Sequence, residues 1–281
     1  MPTEEDIRFL ISDLKVPESF LTDIEDVDEQ PRIDTENGWQ LAILHLPIRG
    51  HEKEVPFFSV PLGIISKDEV FITVCHFPTE VLPDFIRYSY RKNLTIKNQT
   101  EMKLRLIYIS TVWFLKYLKQ VNNQMRMAEM ELRKSVRNEE LYRLMKIERS
   151  IVFFNTSIGG NSMMLAKLRS VSPPADIDDG LLKDLRIEIK QAHTTVNIYS
   201  DIISGTMDAF ASIISNNVNL IMKRMTSISI ILMVPTLVAS FYGMNLISGM
   251  ENKPYGFALT VFISAILSGL AFYIFRKIKW Y

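Results

Sequence analysis

The hydrophobic pattern divides this chain into a mixed first part and a strongly apolar end. In the first part, short runs of apolar and β-branched residues are separated by charged residues, Gly or Pro, which is a pattern typical of strands. The predicted strands cover residues 39–48, 56–65 and 70–75. A short helix is predicted over 17–24, because Pro17 then occupies the favoured first turn. The chain therefore begins with a mixed domain of strands and helices.

Helical patterns follow this mixed region. They cover residues 80–92, 100–135 and 138–168. The stretch 170–180 combines two prolines with several Asp residues, which marks a connection. No further proline occurs before Pro235, so residues 181–245 can form one helix of about 65 residues, on the order of 100 Å long. A helix several times longer than a bilayer is thick predicts a stalk that leaves the membrane.

Two stretches near the C-terminus carry no charged side chain. Residues 225–250 and residues 255–275 each exceed the roughly 20 apolar residues that a helix needs to cross a bilayer. Basic residues precede the first stretch and follow the second, so the positive-inside rule predicts that both termini are cytoplasmic. The protein is thus expected in the plasma membrane, with two spans and a short loop outside.

A stripe of polar and methionine side chains begins before the first apolar stretch and continues into it. From Asn219 to Ser240 its members are separated by steps of three or four residues, and Ser215 and Ser212 continue these steps back to Asp208, which places the stripe on one helical face. Its main members are Asp208, Asn219, Met222, Met225, Ser229, Met233, Thr236 and Ser240. The least apolar face of a membrane helix turns away from lipid, so the stripe is either a pore wall or a seam that packs against another helix. Because two spans cannot enclose a pore, a pore requires a cyclic homo-oligomer.

Charge and residue types exclude several other functions. Residues 1–85 hold 6 Lys+Arg against 18 Asp+Glu, a net charge of −12, whereas residues 86–170 hold 17 against 6, a net charge of +11. This asymmetry argues for surfaces that face different surroundings and against nucleic-acid binding. The histidines are scattered, Cys75 is the single cysteine, and no phosphate loop or catalytic Ser/His/Asp order occurs, so no enzyme is expected. The acidic N-terminus is not a secretory signal, which predicts a cytoplasmic first domain.

The stripe ends in a Tyr-Gly-Met-Asn sequence at residues 242–245, before a short loop and a second span. This arrangement resembles the CorA family of magnesium transporters, whose hallmark is a Gly-Met-Asn triplet at the end of the first of two C-terminal spans. Three further segments look like parts of that family, so the resemblance covers essentially the whole chain. They are residues 17–33, 133–144 and 204–217. One departure lies in the loop, where residues 250–251 read Met-Glu without the proline that is frequent there.

The resemblance implies a fold. It consists of an α+β cytosolic domain with a sheet packed between helices, a very long stalk helix and two C-terminal transmembrane helices, assembled into a funnel-shaped homo-pentamer. The expected parts are the cytosolic domain 1–170, the cytosolic stalk 171–224, the pore-lining span 225–246, the extracellular loop 247–254, the second span 255–275 and the basic cytosolic tail 276–281.

The resemblance also implies roles in ion conduction. Gly243, Met244 and Asn245 match the selectivity filter of the family. Pore-lining positions of the family are matched by Asn219, Met222, Met233 and Thr236. Met225 stands where an aliphatic constriction residue is usual, and it remains flexible but apolar.

Regulation by Mg²⁺ is implied as well, since family members sense the intracellular ion at acidic sites between neighbouring soluble domains. Asp184 and Asp208 match stalk acids used there, by spacing counted back from the triplet. Glu80 and Asp84 are the expected partners from the adjacent chain. A shared divalent ion would remove the repulsion between these carboxylates and hold a closed ring.

The expected function is therefore a channel-like transporter of divalent cations, chiefly Mg²⁺, driven by the membrane potential. No nucleotide site is needed, because a divalent ion gains about 4.6 kcal/mol in crossing 100 mV, twice the ~2.3 kcal/mol of a single charge. Two alternatives stay open. One is a transporter of Zn²⁺, Co²⁺ or Ni²⁺ from the same superfamily, and the other is a membrane-tethered coiled-coil scaffold without transport.

Overall fold

A computed structural model of the chain describes residues 1–50, 55–134, 138–244, 254–278 and 280. The chain forms two compact units, Met1–Met207 and Asp208–Tyr281. The first unit contains a four-stranded antiparallel sheet in the order β1-β2-β3-β4. Its strands are β1 (Ile33–Glu36), β2 (Trp39–Arg49), β3 (Phe57–Lys67) and β4 (Val70–Val74).

Among the residues that the structure describes, five helices and a short turn of 3₁₀ helix complete the first unit before the long helix begins. They are α1 (Glu4–Ser12), α2 (Glu18–Glu25), α3 (Val81–Lys92), α4 (Gln99–Lys134), α5 (Asn138–Val171) and the 3₁₀ turn Pro174–Asp176. The long helix α6 (Asp179–Tyr242) passes from the first unit into the second, and α7 (Gly256–Lys277) follows it. The single long helix predicted from the absence of proline is thus present, and it ends at Tyr242.

Helices cover both faces of the sheet, as the fold expectation required. Gly63 of β3 faces α2, where Ile24 is fully buried against it. Ser66 lies three residues further along the strand and therefore on the opposite face, where it contacts Lys103 of α4. Burial from both sides explains why β2 and β3 are almost continuously apolar instead of alternating.

Helix α5 covers the edge of β2 that β1 leaves open. Strand β1 pairs only as far as Ala42, and beyond it the side-chain amide of Asn161 takes the place of a strand. Asn161 Oδ1 accepts from the backbone N–H of His45 at 2.9 Å, and Asn161 Nδ2 donates to the His45 carbonyl at 2.9 Å. Pro47 follows two residues later, where an N–H would point to the same open edge, so its missing donor costs no sheet hydrogen bond.

The His45 side chain continues this buried polar network. Its Nε2 donates to the Glu29 carbonyl at 2.7 Å, because a carbonyl can only accept, and Nδ1 must then accept from Ser157 Oγ at 2.9 Å. Ser59 Oγ in turn lies 2.5 Å from Ser157 Oγ. Burial lowers the pKa of His45 to about 4, so the ring is neutral at physiological pH.

Two elements of the first unit were absent from the sequence expectations. Strand β1 is short, polar and half exposed, so it lacks the apolar pattern of a strand. Its signal was the Asn37-Gly38 pair, which has positive φ at both residues and forms the tight turn into β2. Helix α1 has a capping box between Thr3 and Asp6.

We expect Gly63→Ala to destabilise the first unit. A Cβ at this position would lie 2.1 Å from Ile24 Cδ1, and overpacking of this kind costs about 1–3 kcal/mol. The melting temperature of the purified full-length protein should fall. In Gly159→Ala, where a Cβ meets nothing within 4 Å, it should hold or rise, since Ala favours helix.

Adding Ile24→Ala to Gly63→Ala tests the contact itself. The double variant should lose less stability than the sum of the single variants, because one substitution relieves the clash made by the other. Strict additivity would contradict the packing described here.

Candidate ion-conducting surface

The residues of the predicted stripe lie on the second unit and share one exposed face of α6. Met222, Met225 and Met233 are 56%, 60% and 62% exposed, although methionine is usually buried. The polar members are exposed as well. They are Asp208, Asn219, Ser229, Thr236 and Ser240. Within one chain, therefore, nothing covers the stripe along the described part of this helix.

The opposite face of α6 is the one that packs within the chain. Ser227 is fully buried, Val238 is 9% exposed, and Ile231 and Val234 between them are half-buried. At about 100° per residue, this face lies on the order of 180° from the stripe. Small and hydroxyl residues are half-buried along one side of α7, as is common where membrane helices meet. They are Thr260, Ser264, Ser268 and Ala271.

A proline marks the contact between the two helices. Pro235 lies inside α6 and has no N–H, so the carbonyl of Ile231, four residues earlier, loses its usual helical donor. Ser268 Oγ of α7 donates to that carbonyl over 3.5 Å. The second helix thus supplies the hydrogen bond that the first one lacks, which is how proline is tolerated in apolar surroundings.

Two hydroxyl groups of the stripe are oriented by their own helix. Ser229 Oγ donates to the Met225 carbonyl at 2.9 Å, and Thr236 Oγ1 donates to the Leu232 carbonyl at 3.2 Å. Each hydroxyl has one proton, and both protons are used inside the helix. The oxygens therefore present lone pairs to their surroundings, and such acceptors suit a cation or the water molecules around it.

The predicted selectivity filter begins where the helix ends. Helix α6 stops at Tyr242, Gly243 N–H still bonds the Ala239 carbonyl at 2.9 Å, and Met244 follows in a bend with 49% exposure. Asn245, the third predicted filter residue, lies outside the described residues. The structure thus places Gly243 and Met244, the first two residues of the predicted filter, at the C-terminal end of the stripe.

Charged and aromatic residues lie at the other ends of the apolar segments. Lys223 and Arg224 are exposed just before the uncharged stretch of α6, and Arg276 with Lys277 forms the last turn of α7. Trp280 stacks on Phe275 with ring centroids 5.5 Å apart. Amphipathic rings beside basic residues are typical of the membrane–water interface.

Two of the predicted regulatory acids already have partners in their own chain. Asp84 Oδ2 accepts from the Trp113 indole N–H at 3.1 Å, and Glu80 Oε2 accepts from the Tyr117 hydroxyl at 3.4 Å. These bonds tie α3 to α4. The pKa of Tyr117 rises to about 12, chiefly through burial and then through the charge of Glu80.

The predicted acid on the stalk part of α6 has a neighbour that the sequence analysis did not name. Asp184 is exposed, and Glu188 lies one helical turn further along the same helix. Burial raises the pKa of Tyr108, and the charges of Glu188, Tyr88 and Asp184 add to the effect. The four-residue spacing of Asp184 and Glu188 was the sequence signal that could have identified this neighbour. Among the described residues, no group of three or more His, Cys, Asp or Glu side chains could hold a metal ion within one chain.

The two apolar helices define the class of protein. An 18-residue segment of α6 has a mean hydropathy of 1.7 and is 11% buried, and one of α7 has a mean hydropathy of 2.2 and is 0% buried. By length and composition both can cross a membrane, so the chain combines an α+β domain with two membrane-spanning helices.

The family and the two relatives that match this chain are named as transporters. The sequence profile of the CorA-like Mg²⁺ transporter protein family matches residues 1–277. The cobalt/magnesium transport protein CorA of Methanocaldococcus jannaschii is 23% identical over 99% of this chain and 89% of its own length. The protein of the same name from Thermotoga maritima is 24% identical over 92% of this chain and 75% of its own length.

A solved structure shows the same fold over the full length. The complete structure of the CorA magnesium transporter from Methanocaldococcus jannaschii superposes with a TM-score of 0.85, covering 100% of this chain and 89% of that one at 21% identity. The chain belongs to the CorA family of divalent cation transporters.

Cysteine labelling can separate a pore wall from a packing seam. In a Cys75→Ser background, Met233→Cys and Thr236→Cys should react with a charged, membrane-impermeant thiol reagent, because a pore wall contacts water. Phe262→Cys, on an exposed part of α7, should react only with a membrane-permeant reagent. Val238→Cys should react slowly with both, since it is buried. Equal, slow labelling of the stripe and Phe262 positions by the charged reagent would favour a seam.

Proposed function

We propose that this protein is a channel-like transporter that carries Mg²⁺ into the cell through a central pore. The observation that carries the proposal is the stripe itself, an exposed face of amide, thioether and lone-pair-presenting hydroxyl groups on a membrane-spanning helix. Its packing against α7 uses the opposite face, so the stripe remains available to line a pore.

The chemistry of the stripe suits a hard, hydrated cation. Mg²⁺ gives up its water reluctantly, so neutral oxygen acceptors can hold the ion through its water shell. Thiolate and imidazole groups, which would select softer metals, do not occur in the predicted stripe. Carbonyl oxygens near Gly243 and the amide of Asn245 would form the filter at the outer mouth, by resemblance to the family.

Assembly and orientation complete the proposal. A pore needs several copies of the stripe around an axis, and the family resemblance gives five. Basic residues at Lys223, Arg224, Arg276 and Lys277 support cytoplasmic termini and a plasma-membrane location. The membrane potential then drives uptake without a nucleotide.

Cobalt is the second candidate cargo, since both curated relatives carry cobalt and magnesium in their names. The stripe contains no thiolate or imidazole, but its three methionine thioethers are softer ligands than oxygen and favour Co²⁺ over Mg²⁺. Competition between the metals during uptake therefore decides between them.

Asn245→Ala should abolish Mg²⁺ uptake and leave the assembled oligomer intact. In proteoliposomes with an inside-negative potential, the wild-type protein should admit Mg²⁺ and the variant should not, because alanine lacks the amide that would hold the hydrated ion at the filter. Asn252→Ala, a matched change in the predicted outer loop, should transport normally. Flux is measured with a Mg²⁺-sensitive dye inside the vesicles, and oligomer size by chromatography.

Two results would contradict this proposal. Vesicles that admit no Mg²⁺ with the wild-type protein would exclude transport of this ion. Full transport by Asn245→Ala would point to a different pore or to a scaffold.

Gating is the second part of the proposal. Carboxylates of neighbouring chains would repel one another, and a shared Mg²⁺ would remove that repulsion, so high internal Mg²⁺ would hold the ring closed. Asp184 is exposed and therefore available to such a site, with Glu188 beside it. Asp208 is exposed as well, whereas Glu80 and Asp84 would have to serve a site while bonded to α4.

Limited proteolysis across a Mg²⁺ titration tests this sensor. Protection of the first unit should rise with Mg²⁺ in the wild type and should be weaker in Asp184→Ala, because one ligand is missing. Asp201→Ala removes an exposed acid from the same helix and should behave as the wild type. Identical protection curves for wild type and Asp184→Ala would exclude a sensor at this residue.

A further inference from the structure

A groove in the first unit has no part in the ion pathway. Its volume is about 720 Å³, which is large enough for a small metabolite. Three segments border it: the turn between β3 and β4, the start of α4 and the connection that leads from α5 to α6. Gln99 holds two of them together, since its Nε2 donates to the carbonyls of Asp68 and Val70.

A buried lysine lines this groove. Lys103 is only 4% exposed, and its Nζ donates to Ser66 Oγ at 2.8 Å and to Gln40 Oε1. Both acceptors are neutral, and no ion pair of Lys103 occurs within the described residues. Buried lysines are normally paired with an anion, because an uncompensated charge in the interior is costly. Burial lowers the pKa of Lys103 to about 8, which still leaves most of the charge at neutral pH.

The nearest buried acid along the helix is already engaged. Glu101 is 4% exposed and forms an ion pair with Arg105 at 2.6 Å. Its other carboxylate oxygen, Oε2, accepts from the Lys97 backbone N–H at 2.9 Å. Burial by itself would raise the pKa of Glu101, but these bonds outweigh it and lower the pKa. Glu101 therefore does not neutralise Lys103.

Two other features of the groove favour an anion. Lys97 lines it, as do the first residues of α4, where the helix dipole contributes partial positive charge. Asp68, Glu69 and Asp176 also line the groove, so three acids stand against the two lysines, and this limits the ligand to a single phosphate group. Phe71 and Pro173 add apolar surface that can contact an organic portion.

We propose that this groove binds a small anion carrying one phosphate group, with the phosphate on the Lys103 ammonium. Gln40 and Ser66 accept hydrogen bonds from two of the three ammonium N–H groups, and the third is left to donate to the phosphate. The ligand is either inorganic phosphate or a phosphorylated metabolite, and the two share the chemistry of the site. The proposal does not depend on which cation the protein transports.

Calorimetric titration of the full-length protein in detergent tests the site with two probes, inorganic phosphate and adenosine monophosphate. Each chain should bind one phosphate group, and Lys103→Met should weaken binding at least tenfold, about 1.4 kcal/mol, because it keeps the side-chain length and removes the charge. Lys119→Met removes an exposed lysine from the same helix and should bind as the wild type. If adenosine monophosphate binds more tightly than inorganic phosphate, the ligand is a phosphorylated metabolite. If the two probes bind equally, the ligand is the phosphate ion. Absence of binding by both probes, or unchanged binding in Lys103→Met, would overturn the proposal.

Hydrogen exchange of the wild-type protein gives a second measurement that does not depend on a variant folding. Phosphate should slow amide exchange in peptides that cover residues 96–103 and 171–176, the two helical borders of the groove. Slower exchange elsewhere, with these peptides unchanged, would place the anion at another site and overturn the assignment.

Discussion

The structure depends on one constraint, which is that a backbone N–H or C=O removed from water must find a partner. At the open edge of β2 the amide of Asn161 supplies both bonds that a neighbouring strand would have made to His45. In α6 the carbonyl freed by Pro235 receives the hydroxyl of Ser268. The Asn161 side chain extends a sheet in the first unit and the Ser268 side chain completes a helix in the second, so the same rule operates in both units.

The same constraint shapes the surface that the ion would meet. A serine or threonine in an apolar helix satisfies its proton on the preceding turn, as Ser229 and Thr236 do. The hydroxyl is then no longer a donor to its surroundings, and only acceptor character remains. The hydrogen bond that satisfies each hydroxyl inside the helix therefore leaves acceptor oxygens on the stripe, which suit a cation without any charged side chain in the membrane.

Periodicity made much of this fold predictable. The two apolar helices, the long α6 and the stripe follow from spacing and composition, because each is a repeating local pattern. The Asn161–His45 contact was not predictable, since the two residues are 116 positions apart and neither belongs to a repeating pattern. The family resemblance that suggested Glu80 and Asp84 likewise contained no sign that Tyr117 and Trp113 donate to them. The burial of Lys103 without an acidic partner is visible only in the folded structure, where α4 packs against β3.

Pro235 has a mechanical consequence for α6. A bend at this residue breaks no hydrogen bond of the helix, because the bond between residues 231 and 235 never formed. The bend instead changes the distance from the Ile231 carbonyl to Ser268 on the neighbouring helix. The bending stiffness of α6 near Pro235 therefore depends on both helices, because the contact with α7 limits how far α6 can bend.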